Sequence, residues 1–160
     1  MIQRIQSVYL FVASLFYFIY WFFGLKWYEE GYSIIMSFEP LLTSSKNILI
    51  FLDLFLSITS FIPLIISLIC LLALFLFKQR PIQIKLTAIS VFLSLFMSIY
   101  TVVYFSFTLN SLIKIMPSLI FEILLYAAIV NPFICNYLIY SALKFIKKDQ
   151  DLVSSLDRIR

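Results

Sequence analysis

Apolar residues run along this chain in four long stretches, and the charged positions between them measure those stretches out. No Asp, Glu, Lys or Arg occurs from Ile5 to Leu25, from Leu54 to Phe77 or from Ile123 to Leu143, and a further uncharged run lies between Lys85 and Lys114. A bilayer core about 30 Å thick is crossed by about 20 residues of helix. The pattern therefore predicts spans at about 5–25, 54–77, 86–108 and 118–143, the last beginning about a turn before Glu122. Backbone polar groups must be satisfied internally in lipid, so each span is expected to be helical. A β-barrel would need short segments of alternating polarity, whereas these runs are apolar on all sides. The first run is longer than a signal-peptide core, carries Phe16, Phe18, Tyr20, Trp21 and Phe22, and has no small-x-small pair after it. It reads as a retained helix.

The connections differ in character. KQRPIQIK, between spans two and three, is short and basic, and its Pro81 suits the first turn of a helix. About 28 residues separate spans one and two; Trp21, Trp27, Tyr28 and Tyr32 read as an aromatic belt. The segment Gly31–Asn47, with Ile34, Ile35, Met36, Phe38, Leu41 and Leu42, is expected to lie in the membrane interface. After Phe145 comes IKKDQDLVSSLDRIR, in which Leu152, Val153, Leu156 and Ile159 share one helix face among charges of both signs. That tail, 144–160, predicts a short amphipathic helix that lies on the membrane or docks to a partner. No repeat and no second domain stand out: the expectation is one all-α integral membrane domain over 1–160, with four transmembrane helices.

Composition strengthens this reading. Hydrophobic residues make up 63% of the 160 and charged residues 12%, with a mean hydropathy of +1.05; soluble domains run nearer half and a quarter. A soluble enzyme and a nucleic-acid-binding domain are both excluded, and the net charge of +4 fits anionic lipid instead. Arg4, Lys78, Arg80, Lys85, Lys144, Lys147, Lys148, Arg158 and Arg160 fall on one side of the predicted membrane; Lys26, Lys46 and Lys114 fall on the other. Nine against three, with an even number of spans, places both termini in the cytoplasm by the positive-inside rule. The chain has no histidine, which excludes a Ser-His-Asp triad, His-dependent zinc sites and histidine proton relays. Cys70 and Cys135 lie in apolar runs without a CxxC spacing and read as small buried hydrophobes. No cofactor or metal is expected.

The remaining candidates are sparse. Asp53 and Glu122 are the carboxylates nearest the spans and are expected at helix starts, where negative charge complements the macrodipole; a paired proton or cation site is the alternative. In span three, Thr87, Ser90, Ser94, Ser98, Thr101 and Thr108 share one helix face. Small hydroxyl residues permit close helix approach, so a packing stripe is expected rather than a solute path. In span four, Asn131 precedes Pro132 at mid-membrane and calls for a hydrogen-bonded packing site. Pro63 predicts a similar interruption in span two.

MIQRIQSVYL, FKQRPIQIKL and IKKDQDLVSSLDRIR together resemble a four-helix inner-membrane family of the Bacteroidetes that has no assigned activity. The matching positions include Gln3, Arg4, Gln6, Gln83, Lys85, Lys148, Asp149, Leu152, Ser155, Asp157, Arg158 and Arg160, while Pro81 and Ser154 depart from it. The resemblance implies a small bacterial inner-membrane protein whose recognisable residues face the cytoplasm. The expected function is that of a noncatalytic accessory or interaction subunit. It would use Arg4, Arg80, Lys85, Lys148, Asp149, Leu152, Leu156, Asp157, Arg158 and Arg160 to meet a larger membrane partner or a second copy, with Ser90, Ser94, Ser98, Thr101 and Asn131 packing the helices. The competing expectation is an oligomeric transporter or channel component using Asp53, Glu122 and the span-three hydroxyls.

Overall fold

The computed structural model describes residues 2–37, 46–115 and 119–159; within these, the side chains of 2–4, 25–37, 46–50, 52–53, 111, 115 and 154–159 are outside the description. Four helices make up the described chain apart from a turn at 76–79: α1 (Ile2–Ser37), α2 (Lys46–Phe75), α3 (Arg80–Ile115) and α4 (Leu119–Ile159). Each contains a segment long and apolar enough to cross a bilayer: Ile5–Gly24, Leu54–Phe75, Arg80–Asn110 and Leu119–Val153. α1 packs beside α2 and α4, α3 packs beside the same two, and α1 and α3 meet across the diagonal. The result is a four-helix bundle.

The buried positions follow one rule in all four helices. In α1 they include Gln6, Leu10, Ala13, Tyr17, Tyr20 and Gly24; in α2, Leu56, Thr59, Pro63, Ile66, Cys70 and Ala73. In α3 they include Gln83, Thr87, Ser90, Ser94, Met97, Thr101, Tyr104 and Thr108; in α4, Leu125, Ala128, Pro132, Cys135, Ile139, Ala142 and Ile146. Steps of three and four alternate throughout, which is the 3.5-residue period of knobs-into-holes packing. Many of the side chains on these seams are small or hydroxylated, whereas the outer faces carry the bulky ones. Ser94 is 0% exposed while Phe92 beside it is 72% exposed. A bundle stabilised in water buries its phenylalanines and exposes its serines. The reverse ordering is what a hydrocarbon solvent requires, because lipid gives no reason to hide Phe and every reason to hide hydroxyls.

The helices overrun the predicted spans. α4 continues through Leu143 to Ile159 without a break, so the tail is not a separate short amphipathic helix but the last turns of the fourth helix. No Gly or Pro lies between Leu143 and Ile159, and the polar residues there satisfy water without disturbing the backbone ladder. α1 likewise runs on past Lys26 to Ser37, so the first part of the expected interfacial segment is helix; residues 38–45 lie outside the description. Charges mark where an apolar run ends, not where the helix ends. The same overrun corrects Asp53. With α2 beginning at Lys46, Asp53 lies seven residues inside the helix, beyond the reach of the terminal dipole. Glu122 does stand in the first turn of its helix.

The α2–α3 turn behaves as its sequence predicts. The Gln79 carbonyl accepts from the backbone N–H of both Ile82 and Gln83 at 3.0 Å, and Pro81, in the first turn, occupies a place where an N–H would find no helical partner. Pro63 and Pro132 are interior to α2 and α4, where each withholds a bond from the carbonyl four residues before it, Thr59 and Ala128 respectively.

Candidate functional site

The polar side chains within the bundle are largely engaged with one another. Thr87, Ser90, Ser98 and Thr108 donate back to the carbonyls of Gln83, Leu86, Ser94 and Tyr104, at 2.8, 3.1, 2.9 and 2.9 Å. This i to i−4 bonding is the usual way a helix hides a hydroxyl in an apolar medium. Ser94 and Thr101 instead reach across the diagonal, to the hydroxyls of Tyr17 at 2.8 Å and Tyr20 at 3.3 Å. The predicted packing residues Ser90, Ser94, Ser98 and Thr101 are therefore brought onto one buried seam, and two of them tie α3 to α1. Asn131 is only half-buried, yet it finds its partner: Nδ2 donates to the Phe16 carbonyl at 3.3 Å, and Cys135 Sγ donates to Asn131 Oδ1 at 3.4 Å. Cys70 and Cys135 are both free thiols and both buried.

Sequence reasoning missed the α1 side of this array. Ser14 Oγ donates to the Ser67 carbonyl at 3.1 Å, while Ser67 Oγ donates to the Ser14 carbonyl at 2.9 Å, clasping α1 to α2. In the sequence Tyr20 counts only among the bulky residues that argue for a retained first helix, and nothing there singles out Tyr17. The available signal was the spacing from Gln6 through Leu10, Ala13, Tyr17 and Tyr20 to Gly24, in alternating steps of four and three, which leaves one face of a Phe-rich helix without phenylalanine.

A second polar cluster lies where the first turns of α1 and α3 meet the late turns of α4. Arg80 Nη1 lies 3.0 Å from Asp149 Oδ2 and also donates to the Asp149 backbone carbonyl at 3.0 Å, so one guanidinium holds both the side chain and the main chain of α4. Beside this pair is a cavity of about 310 Å³ lined by Gln6, Ser7, Phe77, Arg80, Gln83, Ile146 and Asp149. Gln6 and Gln83 are each 5% exposed, and Gln6 Nε2 has no hydrogen-bond partner. The last core layer of the bundle is thus polar and hollow.

Of the residues expected to meet a partner, Arg80 and Asp149 are brought together, and Lys85, Lys148 and Leu152 are exposed. The side chains of Arg4, Leu156, Asp157 and Arg158, and all of Arg160, lie outside the described residues, as does the Asp53 side chain. Among the described residues, no three His, Cys, Asp or Glu side chains come together as a metal-ligand group.

An all-helical bundle with four membrane-length helices and a polar seam is the class this geometry defines. Within that class, the chain belongs to the family described as a domain of unknown function, DUF4293, whose model matches residues 2–159. No curated protein and no solved structure matches it.

Proposed function

We propose that this protein is a multi-pass membrane protein of noncatalytic character, an accessory or interaction subunit that offers the end carrying its termini to a larger membrane partner. The carrying observation is the fourth helix. Its apolar core is complete by Ile146, yet the helix continues to Ile159, pinned by Arg80 at Asp149. Beyond that clamp it presents exposed Leu152 and Val153, with exposed Lys147 and Lys148 one turn before. A continuous helix carrying apolar side chains past its own bundle suits recognition in another protein's groove. The basic excess at this end supports a cytoplasmic orientation and contact with anionic lipid. A transporter reading draws less support, because the span-three hydroxyls are turned inward and bonded to tyrosines or to their own backbone.

Crosslinking in native membranes followed by purification in mild detergent tests the proposal. A stoichiometric partner that is lost on deleting residues 150–160 is the expected result. Recovery of the same partner without those residues, or of the bare chain with both forms, refutes it. A fluorescent protein fused to the C-terminus should fluoresce if that end is cytoplasmic, and a periplasmic reporter there should stay inactive.

A further inference from the structure

The hollow polar layer at the terminal end of the bundle has the chemistry of a receptor. Gln6 is 5% exposed and its Nε2 has no partner, although an unsatisfied buried amide costs roughly the desolvation of that group. It borders a cavity of about 310 Å³ whose other polar walls include Arg80 and Asp149. That volume exceeds what a single bridging water needs by about twentyfold. The cavity also lies at one end of the membrane-length segments, which on the membrane reading is headgroup depth: Gln6 is the second residue of the first segment, Arg80 begins the third, and Asp149 comes near the end of the fourth. Phe77 in its wall is exposed, and so are Ile5, Val8 and Ile82, the chain neighbours of its lining residues Gln6, Ser7 and Gln83, giving apolar side chains along which acyl chains can lie.

The charges narrow the ligand. Arg80 and Asp149 are 3.0 Å apart and neutralise one another. A bare anion in the cavity would face the carboxylate, and a bare cation would face the guanidinium and leave Gln6 without an acceptor. A ligand carrying both charges meets every requirement. Its phosphate oxygens accept from Gln6 Nε2 and the Arg80 guanidinium, and its ammonium N–H groups donate to the Asp149 carboxylate, as charge-assisted bonds. We infer that this cavity binds the phosphoethanolamine headgroup of a membrane lipid. This rests on the membrane reading above but not on the existence of a protein partner, and its test is independent of partner capture.

The test is native mass spectrometry of the full chain in detergent micelles supplied with equal amounts of dioleoyl phosphatidylethanolamine, phosphatidylcholine or phosphatidylglycerol. Phosphatidylethanolamine should be retained over phosphatidylcholine on the order of tenfold, because a quaternary ammonium cannot donate to Asp149 and one hydrogen bond to a charged group is lost. Asp149→Asn should move the preference toward phosphatidylglycerol while α4 stays in place, since Arg80 still bonds the residue 149 carbonyl. Gln6→Leu should weaken phosphatidylethanolamine retention without lowering the thermal midpoint, because the substitution removes an orphaned donor. Equal retention of the three lipids overturns the inference and leaves a water-filled vestibule. So does an unchanged preference in Asp149→Asn, or an unchanged retention of phosphatidylethanolamine in Gln6→Leu. Soluble phosphoethanolamine binding as tightly as the lipid would assign the cavity to a free metabolite class rather than a membrane lipid, overturning the lipid assignment.

Discussion

Two hydroxyl contacts in this bundle look alike but should respond differently to paired truncation. Tyr17 and Ser94 meet side chain to side chain at 2.8 Å, so Tyr17→Phe and Ser94→Ala each remove the same bond. Ser14 and Ser67 lie with their Oγ atoms 3.1 Å apart, yet each hydroxyl also has the other residue's backbone carbonyl as an acceptor, at 3.1 and 2.9 Å. Ser14→Ala therefore removes one bond and leaves the Ser67 bond intact. Measured interhelical hydrogen bonds in membranes average about 0.6 kcal/mol and reach about 1.7. Tyr17 is fully buried and its contact is short, so its coupling with Ser94 should lie in the upper half of that range. The coupling in the Ser14/Ser67 double variant should be smaller than at Tyr17/Ser94, because each hydroxyl's carbonyl acceptor survives removal of the other hydroxyl and only the contact between the two Oγ atoms is shared. Equilibrium unfolding by denaturing detergent in mixed micelles, run on both double-mutant cycles, measures the two couplings directly. Strong coupling at Ser14/Ser67, or additivity at Tyr17/Ser94, would refute the hydroxyl assignments and with them the account of how α1 is held.

Three further outcomes follow from the same geometry. Cys70 and Cys135 are 0% exposed, so a maleimide should leave both thiols unlabelled in the folded protein and modify both after denaturation; prompt labelling of either contradicts the packing. Asn131→Ala should destabilise by about 0.6–1.7 kcal/mol in the same unfolding assay, the range for one interhelical bond, because it removes the link to the Phe16 carbonyl and the acceptor for Cys135; an unchanged midpoint counts against that seam. Arg80→Gln should loosen the end of α4 more than Asp149→Asn does, since only the arginine variant breaks both Arg80 contacts; hydrogen exchange over residues 147–153 reads the difference, and equal protection in the two variants denies the main-chain contact its role.

How much was legible beforehand depended on which solvent each residue had to satisfy. The four apolar segments and the inward face of span three could be read from charge spacing and hydroxyl periodicity, because both follow from excluding polar groups from hydrocarbon. Asn131 was legible for the same reason, although its partner, a carbonyl on α1, was not. Helix ends were poorly legible. Lys26 and Lys144 stop an apolar run without stopping a backbone ladder, so α1 and α4 run on well past them and Asp53 comes to lie within α2 rather than at its start. Hydropathy does not single out Ser14, Ser67, Tyr17, Gln6 or Gln83, because it weighs how apolar a stretch is, not which face its less apolar members share.

The sequence by itself determined the class of molecule and the number of its helices, because transfer into lipid is a sum over residues that needs no knowledge of neighbours. Which small and hydroxylated residues face one another, that one arginine at the start of α3 clamps the fourth helix, and that a glutamine amide is left unsatisfied beside a cavity were decided only by the tertiary structure. Those are properties of pairs. Hydrogen bonds and ion pairs act over a few ångströms between atoms distant in the chain, and their partners are fixed only when four helices settle into one register.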